Sequence, residues 1–316
     1  MKEIEIELRK KFIDDLELPI VLPQSPYFEN SLNLLEPYTG ARTKWESWEE
    51  ERGDMSPGKF LQTIWDGRDK ILDYIRGSEA YHDLEADQEL YNRYQVAESY
   101  PGREIYNGSL VGHRFISIDM KTANFQALRH YDPAIVRDCS SWSEFCSKFS
   151  DSRALVSGKK TRQSILGKLE PKKQATIEKY LMSALHKIIG KGQNLISMKT
   201  DELIYEVEPG KNYDKFLGDI LWKSKNELDI YVKAEIFILD SIQLFTHQGN
   251  SVFGFIKKYE DRPEISFHGI PKQYILQFIK YYEGREREIN DIDLSFSYQD
   301  QEIAKFVYPL SYENPS

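Results

Sequence analysis

A chain of 316 residues with 40% hydrophobic and 29% charged residues can bury a sizeable core without disulfide staples, as one large domain or two smaller ones. That composition sets aside disordered and fibrous classes, and no stretch approaches the roughly 20 apolar residues of a membrane span. The formal net charge of -9 argues against a protein that coats nucleic acid nonspecifically, because such proteins neutralise phosphates with a surplus of lysine and arginine.

The first residues, Met1-Lys2-Glu3-Ile4-Glu5-Ile6-Glu7, alternate charge with isoleucine and lack the apolar run of a secretory signal. The expectation is a soluble, cytoplasmic protein with no membrane partner. Residues 1–104 read as a helical accessory lobe. Within it, Leu18-Pro19 through Pro26-Tyr27-Phe28 is punctuated by proline and predicts an extended surface crossing. Ser56-Pro57-Gly58 then combines a capping serine with a first-turn proline, and Phe60, Ile64, Ile71, Leu72 and Ile75 follow at helical spacing.

Residues 105–316 have a different texture. Phe115-Ile116-Ser117-Ile118-Asp119-Met120 is a β-prone run ending in a carboxylate, followed by a helical stretch from Ala123 to His130. Residues 131–193 read as a helical insertion, including a long helix from Pro171 to Ile189 with Gly190 past its end. Leu195 to Val207 predicts a hairpin with Asp201-Glu202 at its turn, and the runs Tyr231–Leu239 and Ser251–Tyr259 predict further strands. The fold class expected is α+β.

Several chemistries lose support at this level. The two cysteines, Cys139 and Cys146, have no neighbouring histidine at zinc-ligand spacing and read as buried free thiols. His82, His113, His130, His186, His247 and His268 are scattered, with no pair at metal-ligand spacing on a helix. No phosphate-binding Gly-rich loop, nucleophile elbow or dinucleotide fingerprint occurs. One local feature opposes the acidic average: Arg153, Lys159, Lys160, Arg162, Lys168, Lys172, Lys173, Lys179, Lys187, Lys191 and Lys199 are interrupted only by Glu170 and Glu178. Such a basic island suits a phosphate-facing surface.

Phosphoryl transfer onto a growing strand uses two divalent cations about 4 Å apart, held by hard oxygen ligands. An aspartate at a strand end and another in a neighbouring hairpin turn can supply them, and Asp119 and Asp201 have that disposition. Asp119-Met120-Lys121-Thr122-Ala123-Asn124-Phe125 resembles motif A of the palm-domain polymerases and reverse transcriptases. Thr200-Asp201-Glu202, between hydrophobic strands, is similar to motif C of the bacterial repair-polymerase type, with Thr200 in place of the usual histidine. The intervening segment from Arg153 to Lys168 is similar in kind to the basic helix that grips the triphosphate in that family.

The resemblance implies a palm-like antiparallel sheet with a helical, fingers-like insertion. It implies a magnesium- or manganese-dependent nucleotidyltransferase acting on a DNA or RNA strand and nucleoside triphosphates. Asp119 and Asp201 would be the metal ligands, with Glu202 assisting catalysis. Asn124 or Phe125 would lie under the sugar, while Arg153, Lys159, Lys160, Arg162 and Gln163 would meet the nucleotide. Glu206, Glu235 and Asp240 are further acids on the strands that follow. A template-independent end-adding transferase, a metal-dependent nuclease and a non-catalytic nucleic-acid-binding protein with the same fold are the alternatives.

Overall fold

The computed structural model describes residues 2–246, 251–260, 265–270, 272–276, 278–279, 295–297 and 303–307. The helices are α1 (Lys2–Asp15), α2 (Tyr27–Thr39), α3 (Ala41–Arg52), α4 (Pro57–Arg76), α5 (Glu79–Ala86), α6 (Leu90–Arg93), α7 (Ala123–Tyr131), α8 (Trp142–Ser147), α9 (Arg153–Ser157), α10 (Lys159–Leu166), α11 (Pro171–Ile189) and α12 (Asp214–Glu227). The strands are β1 (Arg114–Met120), β2 (Asn194–Met198), β3 (Glu202–Val207), β4 (Val232–Thr246), β5 (Ser251–Tyr259), β6 (Ile265–His268), β7 (Ser295–Ser297) and β8 (Ile303–Val307). The class is α+β, and the strand pairs β2–β3, β4–β5, β5–β6, β4–β8 and β7–β8 are antiparallel. Among the described residues no helix is long and apolar enough to cross a membrane.

Two compact units share this chain. The first comprises Met1–Leu18, Trp45–Arg103 and Ile116–Glu235, and the second Pro19–Lys44, Glu104–Phe115 and Ile236–Ser316. The boundary expected after residue 104 therefore does not separate two contiguous domains: the helices of 45–103 and the helical insertion of 131–193 lie in one unit. The physical reason is that α1 and α4 bury their apolar faces against α10 and α9 instead of against one another alone.

In the first unit the strand order is β2-β3-β1 followed by the start of β4. Its helices begin where the sequence supplies caps. Ser56 is extended and its side chain accepts the Lys59 N–H at 3.3 Å, Pro57 fills the first helical position, and Phe60, Leu61, Ile64, Ile71 and Ile75 are buried on one face of α4. Ser141 and Ser152 cap α8 and α9 in the same way, accepting the N–H groups of Glu144 and Leu155. Trp48 bridges Phe12 at 5.1 Å and Phe60 at 5.9 Å, a chain of edge-on aromatic contacts that ties α1, α3 and α4 together.

One local reading changes, and one glycine has a packing cause. Tyr27 and Phe28 are not part of the extended crossing but open α2, where Phe28 is buried with Leu32 and Leu35. Gly190 follows α11 without a left-handed turn, at φ -80°. A Cβ there would come within 2.4 Å of the His186 ring, so close approach explains this glycine and reversal of the chain does not.

In the second unit β4 pairs with β5 from Phe237↔Tyr259 to Phe245↔Ser251, and β6 continues beyond β5. Phe115 stacks on Phe237 at 5.6 Å, and Arg114 clamps Glu260 with Nε–Oε1 at 2.6 Å and Nη2–Oε2 at 2.7 Å. Both cysteines are buried free thiols. Burial pushes the Cys146 thiol up to about 12, which keeps it unreactive.

Candidate acidic site

Alternation along β1 places Ser117 and Asp119 on the same face of the strand. The chain then turns through Thr122, a non-glycine residue at φ 50° and ψ 51°, into α7. Gln126, 2% exposed, fixes this turn from the first buried face of the helix. Its side-chain amide nitrogen donates to the carbonyls of Lys121 and Tyr231, and its Oε1 accepts the Tyr231 N–H at 2.5 Å. The Lys121 N–H also donates to the Tyr231 carbonyl at 2.9 Å, so the end of β1 and the start of β4 are held in register.

The hairpin of β2 and β3 closes with the Lys199 N–H donating to the Glu202 carbonyl at 2.9 Å, which leaves Thr200-Asp201 as a two-residue turn. The Met120 N–H then donates to the Asp201 carbonyl at 2.9 Å. That single bond places the residue after Asp119 against the hairpin turn and makes the two aspartates neighbours in space. Glu202 joins them from the first position of β3, because the buried Ser117 hydroxyl donates to its Oε1 at 2.7 Å.

A further acid enters from α11. Glu178 is 6% exposed and accepts a hydrogen bond from Asn124 Nδ2 at 3.3 Å. Burial, reinforced by the negative charge of Asp201, pushes its carboxyl up to about 7. The site therefore collects Asp119, Asp201, Glu202, Asn124, Ser117 and Glu178. Sequence reasoning missed Glu178 by counting it only as an interruption of the basic island. The signal was available, because Glu178 falls in the helical stripe Gln174, Ile177, Leu181, Met182 and Leu185, which α11 buries.

Other expected site residues lie elsewhere. Phe125 is 1% exposed and packs against Trp142 at 6.4 Å and Phe145 at 6.0 Å, so its ring belongs to the core and cannot lie under a sugar. The basic island is also not one open face. Arg153 pairs with Glu50 at 3.1 Å and Lys159 with Glu17 at 2.7 Å. Lys173 is buried, its ammonium donating to the Leu84 and Glu85 carbonyls at 2.7 Å each. Arg162 is half-buried, and burial holds its guanidinium below the ordinary value. Lys160 and Gln163 are exposed on α10, which packs against α7. Glu206 accepts from Asn194 at 3.0 Å across the hairpin, and Glu235 pairs with Lys233 at 2.5 Å. Asp240 belongs to the second unit, where it pairs with Lys258.

Among the described residues no group of three or more His, Cys, Asp or Glu side chains is arranged to hold a metal ion. Magnesium asks for less, since it keeps several waters and takes one or two carboxylates together with substrate phosphate oxygens. Asp119 and Asp201 offer hard donors of that kind on adjacent segments. Comparison with protein-family models, with curated proteins and with solved structures returns no match for this chain.

Proposed function

We propose that this chain is a metal-dependent nucleotidyltransferase with a palm-like core, extending a nucleic-acid 3′ end with nucleoside triphosphates. One observation carries the reading: the Met120 N–H to Asp201 carbonyl bond, which brings a strand-ending aspartate to an acidic hairpin turn. The chain order supports it, with β1 and α7 first, a helical insertion next, and the β2–β3 hairpin last.

Magnesium or manganese, when bound, would activate the attacking hydroxyl and neutralise the triphosphate. Asp119 and Asp201 would present the carboxylate oxygens, and Ser117 would orient Glu202 beside them. Asn124, held by Glu178, is the polar side chain at the first turn of α7 and is suited to meet a sugar hydroxyl. Exposed Lys160 and Gln163 on α10 would meet phosphates, with Lys159 joining only by leaving Glu17.

A second reading, a palm-like nucleic-acid-binding protein without turnover, is favoured by one feature. Glu202 is tied to Ser117 and Glu178 is buried and bonded to Asn124, which leaves Asp119 and Asp201 as the carboxylates for a cation. The test incubates the protein with labelled DNA and RNA primers, with and without template, in magnesium or manganese, beside the double variant Asp119→Ala, Asp201→Ala. Extension that the double variant loses is the expected result. Absence of extension under every condition overturns the transferase reading, and shortened strands would identify a nuclease.

A further inference from the structure

We infer that the outward face of α11 is a binding surface for single-stranded nucleic acid, with Tyr180 as a stacking platform among lysines. The inference deepens the proposed function by locating the strand, and it rests on that reading only for the strand's use as a substrate.

The two faces of α11 differ sharply. Gln174, Ile177, Glu178, Leu181, Met182 and Leu185 are buried. Lys172, Lys179, Tyr180 and Lys187 are exposed, and Lys191 continues the row just past the helix end. Glu178 is the only acid between residues 171 and 191, and it is buried. In a chain of net charge -9, every exposed charged residue of this helix is a cation. At the α-helical rise, Lys172 to Lys187 spans roughly 22 Å, long enough to follow several phosphates. Lys187 has one partner in reach, Glu98 at 2.6 Å, so Lys172 and Lys179 are the cations to test.

An acidic peptide would be served by the lysines alone. The aromatic group favours a nucleic acid instead. Tyr180 is 36% exposed and is fixed by a T-shaped contact with Tyr94 at 5.2 Å. Tyr94 in turn meets His130 at 5.8 Å and lies beneath the Arg93 guanidinium at 5.6 Å. A partly exposed ring held in place beside cations is what a base needs for stacking while the backbone is neutralised.

The experiment is fluorescence anisotropy with labelled oligothymidylate and oligouridylate of about 16 nucleotides, without nucleotide or divalent metal. Tyr180→Ala should weaken binding about tenfold, within the range for loss of one stacked base. The double variant Lys172→Glu, Lys179→Glu should weaken it further and make the slope of log affinity against log salt shallower by about 1.4. These side chains are exposed, and unchanged thermal melts will show that folding is intact. No binding by the parent protein, binding insensitive to both variants, or equal binding of polyglutamate overturns the inference. Because no turnover is measured, absence of binding by the parent protein with its strand extension intact defeats this inference alone, and absence of extension with binding intact defeats the transferase reading alone.

Discussion

The side-chain amide of Asn124 donates to the buried carboxyl of Glu178 at 3.3 Å, joining the first turn of α7 to the middle of α11 beside the Asp201 turn. The pairing explains how a glutamate is tolerated in an otherwise closely packed helix face. Burial raises this carboxyl because its neutral form costs far less to bury than a carboxylate, and Asn124 satisfies one of its oxygens.

Stability should therefore depend on pH through Glu178. Its carboxyl is raised from 4.5 to about 7, first by burial and then by Asp201. Between those values the folded protein holds a proton that the unfolded chain has released, so this group's contribution to stability falls as pH rises through the window and is level above it. At about 1.4 kcal/mol per unit, the full effect is on the order of 3 kcal/mol. Glu178→Gln keeps an oxygen for Asn124 and removes the titration. Urea midpoints compared between about pH 5 and pH 8 should show the variant gaining on the parent protein as pH rises. A parent-to-variant difference that is constant with pH would contradict the assignment.

Gly67 offers a test of packing against propensity. It sits inside the 20-residue helix α4, where alanine would ordinarily be better by about 1 kcal/mol. A Cβ at this position would meet Leu155 Cδ2 at 2.8 Å and Ser150 Cβ at 3.0 Å. Gly67→Ala should therefore destabilise by about 1–3 kcal/mol, the range for overpacking a filled core. A melting temperature equal to or above the parent's would show that α4 and the 150–155 segment can separate without loss.

The second unit has its own test in Arg114, which is 9% exposed and bonded to Glu260 through two nitrogens. Arg114→Met should cost about 2–3 kcal/mol, because it breaks charge-assisted hydrogen bonds and leaves Glu260 beside an apolar side chain. Glu260→Gln should cost less, since one oxygen still accepts from the guanidinium and the carboxylate is about one-third exposed. Chemical denaturation of both variants checks the order, and the reverse order would place the main stabilisation elsewhere.

Elements with a local chemical cause were legible in the sequence. Ser56-Pro57 marked the start of α4, Pro171 and Gly190 bracketed α11, and the β-prone runs on either side of Asp201-Glu202 marked the hairpin. What escaped was decided by contacts distant in the chain. The pairing of Met120 with Asp201 depends on strand order, which neither segment encodes alone. Phe125 was placed at the sugar by its motif position and Lys173 was counted in the phosphate-facing island, yet their helical positions turn them inward, one onto Trp142 and Phe145 and the other onto the carbonyls ending α5. The two-unit division was hidden for the same reason, since α1 and α4 find partners more than 70 residues downstream of α4, in α9 and α10.

Gln126 should control the geometry of the acidic site without touching a substrate. Its amide bonds to the Lys121 carbonyl on one side and to both backbone groups of Tyr231 on the other, so it fastens the turn after Asp119 to the start of β4. Gln126→Met matches its length and leaves the half-buried Tyr231 N–H without its side-chain acceptor, at a cost of about 1 kcal/mol. The Tyr231 amide should then exchange with solvent faster than in the parent protein, while amides in α4, remote from the turn, change only as far as global stability does. If strand extension is found, this variant should lower its rate while leaving nucleotide affinity nearly unchanged, because Asp119 loses its fixed position. Unaltered exchange at Tyr231 would mean that β1 and β4 hold their register through their backbone bonds, the Lys121 N–H bond among them, without help from Gln126.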